Sequence, residues 1–304
     1  MNLNNIEINK SIRYIKLTKL PPSFDQLLCY SVISLCSSCS SIKAHQLPRL
    51  LLGISGSVAA VKVAELYNQL SIICNVRIVL TSSSKHFYRR SKYYNDVNWQ
   101  LFVNNGGLDC IFFDEDEWTT WDKIGDPVLH IELRKWAHII LIAPASANLL
   151  AKLACGQAND LLSCILRATD MRIKPCLLCP AMNTLMWHHP STAETLGKLS
   201  LWGYHIVNPV VKTLACKDVG IGALSPVADI VNQVSVMVER YSDQFIYDDD
   251  HVYDKLFTAL ISKRKSHSAN ISKDQSYIPY ISILLMGQIS GALLLYTWLR
   301  WRQR

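Results

Sequence analysis

The sequence predicts an α/β fold built on a doubly wound parallel sheet, and two observations carry that prediction. The segments "RLLLGIS", "HIILIAP" and "PCLLCPA" are continuously apolar rather than alternating, as strands buried on both faces are. Stretches with helical spacing of apolar residues separate them, which is the order of βαβ units whose helices cover both faces of a sheet. Sheets of this kind bind ligands beyond the carboxyl ends of their strands, so chemistry is expected at residues 53–58, 143–148 and 180–183.

The elements follow in order. The first strand, "RLLLGIS", begins near Pro48. In "GSVAAVKVAELYNQL", Val58, Val61, Leu66 and Leu70 fall on one helix face. "NVRIVLT" is a second strand, and "CIFF" a candidate third after a segment rich in Tyr and Asn. "HIILIAP" is the next strand, "NLLAKLA" and "DLLSCILRA" are helical, and "PCLLCPA" returns to the sheet. A helix over 191–201, a short strand at "YHIVNP", a Gly- and Lys-containing loop and a helix over 226–239 complete a domain at 47–240.

The flanks read differently. Residues 1–46 lack periodicity and are expected to form a poorly ordered arm. Their Lys10, Arg13, Lys16 and Lys19 against a single Glu7 leave a mitochondrial presequence open, whereas no secretory signal opens the chain. Residues 241–276 are acidic and then polar, as a linker would be. Residues 277–299 carry no charge and end in a Trp/Arg flank, so 277–304 is a candidate C-terminal membrane-anchor helix. Such an anchor would hold a cytoplasmic domain on the cytosolic face of a membrane; an amphipathic or core helix is the alternative.

Composition narrows the class. The chain has 304 residues, half of them hydrophobic, enough for a full core. Its net charge of +7 is concentrated toward the ends and is not interleaved with stacking aromatics except at Trp298 and Trp301, which fit a membrane interface better, and this argues against nucleic acid as a partner. Most of the ten cysteines, among them Cys74, Cys110, Cys155, Cys164, Cys176 and Cys179, lie in apolar segments and read as small core residues of a reduced intracellular protein. Cys36 and Cys39 have no second pair at zinc-finger spacing, so no metal site is expected.

Three strand ends carry candidate chemistry. In "GISGSVAA" the glycines allow a sharp turn into a helix N-terminus, where an anion such as a phosphate fits beside Gly56, Ser57 and Val58. An ordinary strand-to-helix turn is the competing reading. No acidic residue ends the second strand; Thr81 to Ser84 stand there instead, which suits a mononucleotide phosphate better than a dinucleotide ribose. "APASAN" places Ser146 at a helix start, either as a cap or as part of the same crevice with Asn148. In "CPAMNTLMW", Asn183 could donate to a carboxylate, with Met182 and Met186 against a flat ring, or could simply cap a helix. His130, in "HIELRKWAHIILIAPASAN", has the unperturbed pKa of a general base near neutrality, but composition alone does not separate that role from a structural one. His138 opens a buried run and is assigned no chemistry.

Together "SGSVAA", "DPVLHIELRKWA" with "IAPASAN", "PAMNTLMW" and "LACKDVGIGAL" resemble phosphopantothenoylcysteine decarboxylase, of the flavin-dependent cysteine decarboxylases, from near Pro48 to about Arg240. The resemblance implies a flavodoxin-like, Rossmann-like three-layer sandwich, non-covalent FMN, and a homotrimer with its site at the subunit interface. It implies 4′-phosphopantothenoylcysteine as substrate, and 4′-phosphopantetheine and CO2 as products, within coenzyme A synthesis. By motif, Gly56, Ser57, Val58, Thr81 and Ser83 would hold the FMN phosphate and ribityl chain. Ser146, Ala147, Asn148 and Ala181 would line the flavin. Asn183, with Ala215 and Met186, would bind substrate, His130 would be the essential base and Cys216 the acid of the final half-reaction. Oxidation of the cysteine thiol to a thioaldehyde, with hydride passing to FMN, creates an electron sink β to the carboxylate; CO2 then leaves and the enethiolate is reduced back to the thiol.

The chain departs from the family pattern in places. Asn159 and Asp160 stand in swapped order before Leu161-Leu162, which could weaken assembly or the flavin pocket. Lys217 and Leu224 replace a Gly and a Met around Cys216, and Lys217 is expected to stiffen that loop and slow turnover. The segment 88–107 is longer and more polar than expected. Two other classes compete: a regulatory paralogue that binds a protein phosphatase with little catalysis of its own, and an electron-transfer flavoprotein, which would need neither Asn183 nor Cys216.

Overall fold

A computed structural model describes residues 47–245 and 250–275 of the chain. Six parallel strands form the central sheet: β1 (Arg49–Ile54), β2 (Asn75–Leu80), β3 (Ile111–Phe113), β4 (Ile139–Ala145), β5 (Cys176–Pro180) and β6 (His205–Ile206). Their spatial order is β3-β2-β1-β4-β5-β6, so the winding reverses between β1 and β4. The expected doubly wound three-layer fold is therefore present, and its reversal point lies at the "GISGS" and "APASAN" strand ends.

Two apolar layers explain why the strands read as continuous. On β1, Leu50, Leu52 and Ile54 point into one core, shared with α1 (Val63–Leu70), α2 (Asp96–Asn104) and a late helix, α9 (Val227–Tyr241). Leu51 points the other way, into a core with α4 (Leu129–Trp136), α5 (Ala147–Ala154), α6 (Leu161–Arg167) and α8 (Pro190–Leu201). Period-2 alternation with both faces covered leaves no polar position along the strand. Between β3 and α4 lies α3 (Asp114–Thr120), and after β5 a short α7 (Thr184–His188).

The segment expected to be longer and more polar folds into two short helices, Lys85–Tyr88 and Ser91–Tyr94, followed by α2. Phe102 on α2 is fully buried, in edge contact with Tyr67 and tilted against Trp99. His138 is also structural: its Nδ1 accepts the Arg49 N–H at 3.2 Å and its ring stacks on Phe245 at 4.8 Å.

Two expectations change. The Gly- and Lys-containing loop is an antiparallel hairpin, β7 (Val210–Thr213) with β8 (Val219–Ala223). The stretch expected to be a polar linker contains a helix, α10 (Asp250–Gln275), with Phe257 completely buried against Phe112 and Trp136. Its apolar residues are spaced too sparsely among charges to announce a helix, and it is fixed instead by what it docks on: Phe257 and Ile261 enter the second core, while Asp254 pairs with Arg77 at 3.1 Å. The arm expected at 1–46 and the anchor expected at 277–304 lie outside the described residues. Among the described residues no helix is long and apolar enough to cross a membrane.

Candidate active site

At the reversal point β1 and β4 are tied together by a serine that sequence reasoning did not single out. The buried Ser55 hydroxyl donates to the Pro144 carbonyl at 2.8 Å and accepts the Ser146 N–H at 2.7 Å. Ser146 in turn caps α5, accepting from Leu149 N–H at 3.3 Å, which leaves Ala147 and Asn148 on the first turn of the helix. The Ala181 N–H donates to Ala145 O at 3.0 Å, so Ala181 lies alongside the same strand end.

Gly56 makes the opposite wall possible. A Cβ at this position would sit 2.3 Å from Ser83 Oγ, so only glycine lets the β1 turn approach the β2 end this closely. Ser83 and Thr81 are 3.2 Å apart through their hydroxyls, and Ser57 caps the 3-10 turn Val58–Lys62. Val58 is exposed. Ser55, Thr81, Ser83, Ser146 and Asn148 line one crevice of ≈ 300 Å³, with Lys152 and Asp160 on its wall. Of the residues singled out, Thr81, Ser83, Ser146 and Asn148 therefore share one crevice.

Asp114 and Asp160 frame that crevice. Asp114 accepts from the Ser82 N–H and hydroxyl at 3.1 and 2.6 Å and from Leu161 N–H at 3.1 Å, joining the β2 end to α6. Asp160 caps α6 through Ser163 N–H at 2.8 Å and pairs with Lys152. Burial pushes the Asp160 carboxyl up, but Lys152 and Ser163 outweigh it and hold it below the usual carboxylate range. Asn and Asp cap helices about equally well, so the swapped order of Asn159 and Asp160 leaves the α6 start intact.

A second cluster forms where α7 meets the hairpin. Asn183 caps α7, accepting from Leu185 N–H at 2.8 Å. Its side-chain amide donates to Asp218 at 2.9 Å and to Cys216 Sγ at 3.2 Å, and the Cys216 thiol donates to Asp218 at 3.1 Å. These hydrogen bonds from Cys216 and Asn183 hold the exposed Asp218 carboxyl below its ordinary range. The hairpin is held against Asn183 by backbone contact: Met182 N–H donates to Gly222 O at 2.9 Å, and a Cβ on Gly222 would meet Met182 O at 2.3 Å. Ala215 is exposed in the same loop, and Met186 is exposed on α7. Leu224, at the Met position of the family pattern, is buried in the first core.

Lys217 is the one non-glycine residue with positive φ, 71°, among the described residues. Leu214 N–H bonds to Asp218 O and Lys217 N–H to Leu214 O, which makes 215–217 a three-residue hairpin loop with Lys217 at its left-handed position. Lysine therefore strains this loop where the expectation was stiffening.

His130 sits on the first turn of α4. Its N–H donates to Glu117 Oε2 at 3.0 Å and its Nδ1 lies 2.6 Å from Glu117 Oε1. A carboxylate only accepts, so Nδ1 carries the proton and Nε2 is left as the basic nitrogen. Among the described residues no hydrogen bond or ion pair joins His130 to Asn183 or Cys216. Glu117 is separated from His130 by a polar turn, and no spacing rule would have found it. Asp218 had a weak signal, as the acid two residues after Cys216. Among the described residues no three His, Cys, Asp or Glu side chains converge as metal ligands do.

Comparison with known proteins adds an independent line. The Flavoprotein family model matches residues 39–239. The phosphopantothenoylcysteine decarboxylase of Oryza sativa subsp. japonica is 45% identical over 193 residues, 64% of this chain and 82% of that protein. The decarboxylase of Mus musculus is 42% identical over 195 residues, 64% of this chain and 88% of that protein. A solved cysteine-to-serine mutant of PPC decarboxylase complexed with pantothenoylaminoethenethiol is 42% identical, with a TM-score of 0.56 over 64% of this chain and 100% of that one. The solved FMN binding protein AtHal3 is 42% identical, with a TM-score of 0.54 over 64% of this chain and 98% of that one.

Proposed function

The chain belongs to the Flavoprotein family, among the phosphopantothenoylcysteine decarboxylases, and from that premise we propose that it decarboxylates 4′-phosphopantothenoylcysteine to 4′-phosphopantetheine and CO2 with FMN as cofactor. The single observation that carries this reading is the gathering of Asn183, Cys216 and Asp218 by mutual hydrogen bonds in a chain that also holds the Gly56 cradle.

The crevice fits FMN on its own chemistry. Its walls carry neutral hydroxyls from three strand ends, the Lys152 ammonium and the N-terminus of α5, beside the turn where Gly56 lets Ser83 pack closely. Gly56, Ser57, Val58, Thr81 and Ser83 would hold the phosphate and ribityl chain, while Ser146, Ala147, Asn148 and Ala181 would line the ring. Bound FMN would supply reversible hydride acceptance, which an amino-acid side chain cannot.

The protein's own groups do the rest. His130, with Nδ1 committed to Glu117, offers Nε2 to take a proton from the substrate's cysteine moiety. Asn183 orients the carboxylate as a neutral donor; a cation there would stabilise the ground state and oppose CO2 loss. To do so its amide must give up one of its two bonds, to Cys216 or to Asp218. The Cys216 thiol, which donates to Asp218, would deliver its proton on reduction. Ala215 and Met186 flank the same position.

A homotrimer with its site shared between copies is supported by the finding that, among the described residues, no hydrogen bond or ion pair joins His130 to Asn183 or Cys216 within one chain. Exposed apolar side chains lie next in sequence to residues of each cluster: Trp118 beside Glu117, and Val219 beside Asp218. Sedimentation equilibrium should give three chains per particle. The uncharged run 277–299 supports a membrane anchor holding a cytosol-facing domain; an unchanged soluble fraction after deleting 277–304 would remove that reading.

Purified protein should be yellow and release FMN on denaturation, and His130→Asn should abolish CO2 release from phosphopantothenoylcysteine while keeping the flavin. Colourless protein that FMN does not reconstitute, or undiminished turnover in His130→Asn, would overturn the assignment.

A further inference from the structure

The C-terminal helix α10 lies beyond residues 39–239, the part matched by the family model, yet it makes contacts that converge on one short helix. Three consecutive bases of α10 reach acids in and around α3. Lys263 pairs with Asp122 at 2.5 Å, Arg264 with Asp116 at 2.9 Å and Lys265 with Asp109 at 2.7 Å. The outer two pairs are exposed and contribute little. The middle one is different: Asp116 is only 5% exposed.

Asp116 sets the start of α3, accepting the Phe113 N–H at 2.8 Å. Arg264 holds that carboxylate and also donates to the Ile111 carbonyl at 2.8 Å, with its guanidinium over the Phe113 ring at 5.2 Å. Arg264 therefore fixes the end of β3 and the first turn of α3 together. The next residue on α3 is Glu117, which grips His130 at two points, the backbone N–H and Nδ1. Two bonds to one carboxylate fix both the ring orientation and the tautomer, as partners behind a working histidine do.

Resting on the assignment of His130 as the base, we propose that Glu117 is its positioning residue and that Arg264 on α10 holds Glu117 in place through Asp116. The C-terminal helix is thereby part of the machinery that keeps the His130 ring oriented, with Nδ1 on Glu117 and Nε2 turned away from it.

The test uses the full chain labelled with 15N-histidine, with the His130 signals identified by their loss in His130→Asn. In the unsubstituted protein His130 should carry its proton on Nδ1. Glu117→Ala should move it to Nε2 and lower kcat about 100-fold, with KM within about threefold, since the lost group orients the base and does not bind substrate. Glu117→Gln, which still accepts from Nδ1, should retain the tautomer and recover about tenfold of that loss. Arg264→Ala should shift both readouts the same way by about five- to tenfold, with Arg264→Lys in between. Flavin content should stay constant throughout, which separates mispositioning from misfolding. A neutral His130 ring with its proton on Nε2 and none on Nδ1 in the unsubstituted protein overturns the proposal whatever the variants do. Unchanged kcat in Glu117→Ala, with His130→Asn inactive, overturns it while leaving the base assignment standing; unchanged kcat in Arg264→Ala removes the part given to α10. Full activity in His130→Asn removes the base assignment and this inference with it.

Discussion

Replacing Lys217 by glycine should tighten the loop that carries Cys216. Lys217 has a φ of 71°, at the position of a three-residue hairpin loop that requires a left-handed backbone. An L side chain there costs about 1–2 kcal/mol through crowding of Cβ against the backbone. Glycine removes that cost but loses about 0.5–1 kcal/mol more backbone entropy on ordering. The net gain is about 0.5–1 kcal/mol, a roughly two- to fivefold shift in the opening equilibrium of the loop. The Leu214 N–H, bonded to Asp218 O at 2.8 Å across the loop, is the reporter. Its hydrogen-exchange protection should rise about two- to fivefold in Lys217→Gly and fall in Lys217→Val, with Lys217→Asn close to glycine because Asn tolerates this conformation. Equal or lower protection in the glycine variant would refute the strain argument, whatever happened to turnover.

Three further outcomes follow from the geometry. Gly56→Ala should weaken FMN binding by at least about tenfold in fluorescence titration, because the new Cβ falls 2.3 Å from Ser83 Oγ; Ser83→Gly in the same chain should restore part of it, and full affinity in the single variant would dismiss the cradle. The Asp160 carboxyl is held below its ordinary range, so the unfolded chain binds the extra proton first as pH falls. Its stabilisation is complete above the ordinary carboxylate value near about 4 and is lost as pH drops through the lower folded value; Asp160→Asn should flatten that part of the urea-midpoint profile, and an unaltered slope would contradict it. Phe257→Ala should cost about 3–5 kcal/mol in chemical denaturation if α10 is docked, and a loss under about 1 kcal/mol would mean it is not.

Much of the fold was legible because its cause is local. A strand buried on both faces must be apolar throughout, so β1, β4 and β5 announce themselves, and their helices follow from spacing. The strand ends were legible for a related reason: where an apolar run breaks into Gly, Ser, Asn and Pro, the chain is leaving the sheet at its ligand-binding edge. Gly56, Ser83 and Ser146 were found that way; the structure puts Ser83 and Ser146 on one crevice and packs Gly56 against Ser83. The hairpin β7–β8 was not found, because strands of four and five residues with two glycines in the second carry no clear periodicity. The α10 helix was missed because its stability comes from what it covers.

By itself, then, the sequence determined the layers, the strand ends and the residue types that stand there, since burial and backbone freedom write themselves into single positions. Only the tertiary structure decided the pairings. Glu117 against His130, Asp218 between Asn183 and Cys216, Ser55 across Pro144 and Ser146, and Arg264 upon Asp116 each join parts of the chain that no period relates. A hydrogen bond between separate elements depends on a few tenths of an ångström of packing, and that distance exists only once the whole sheet has closed around it.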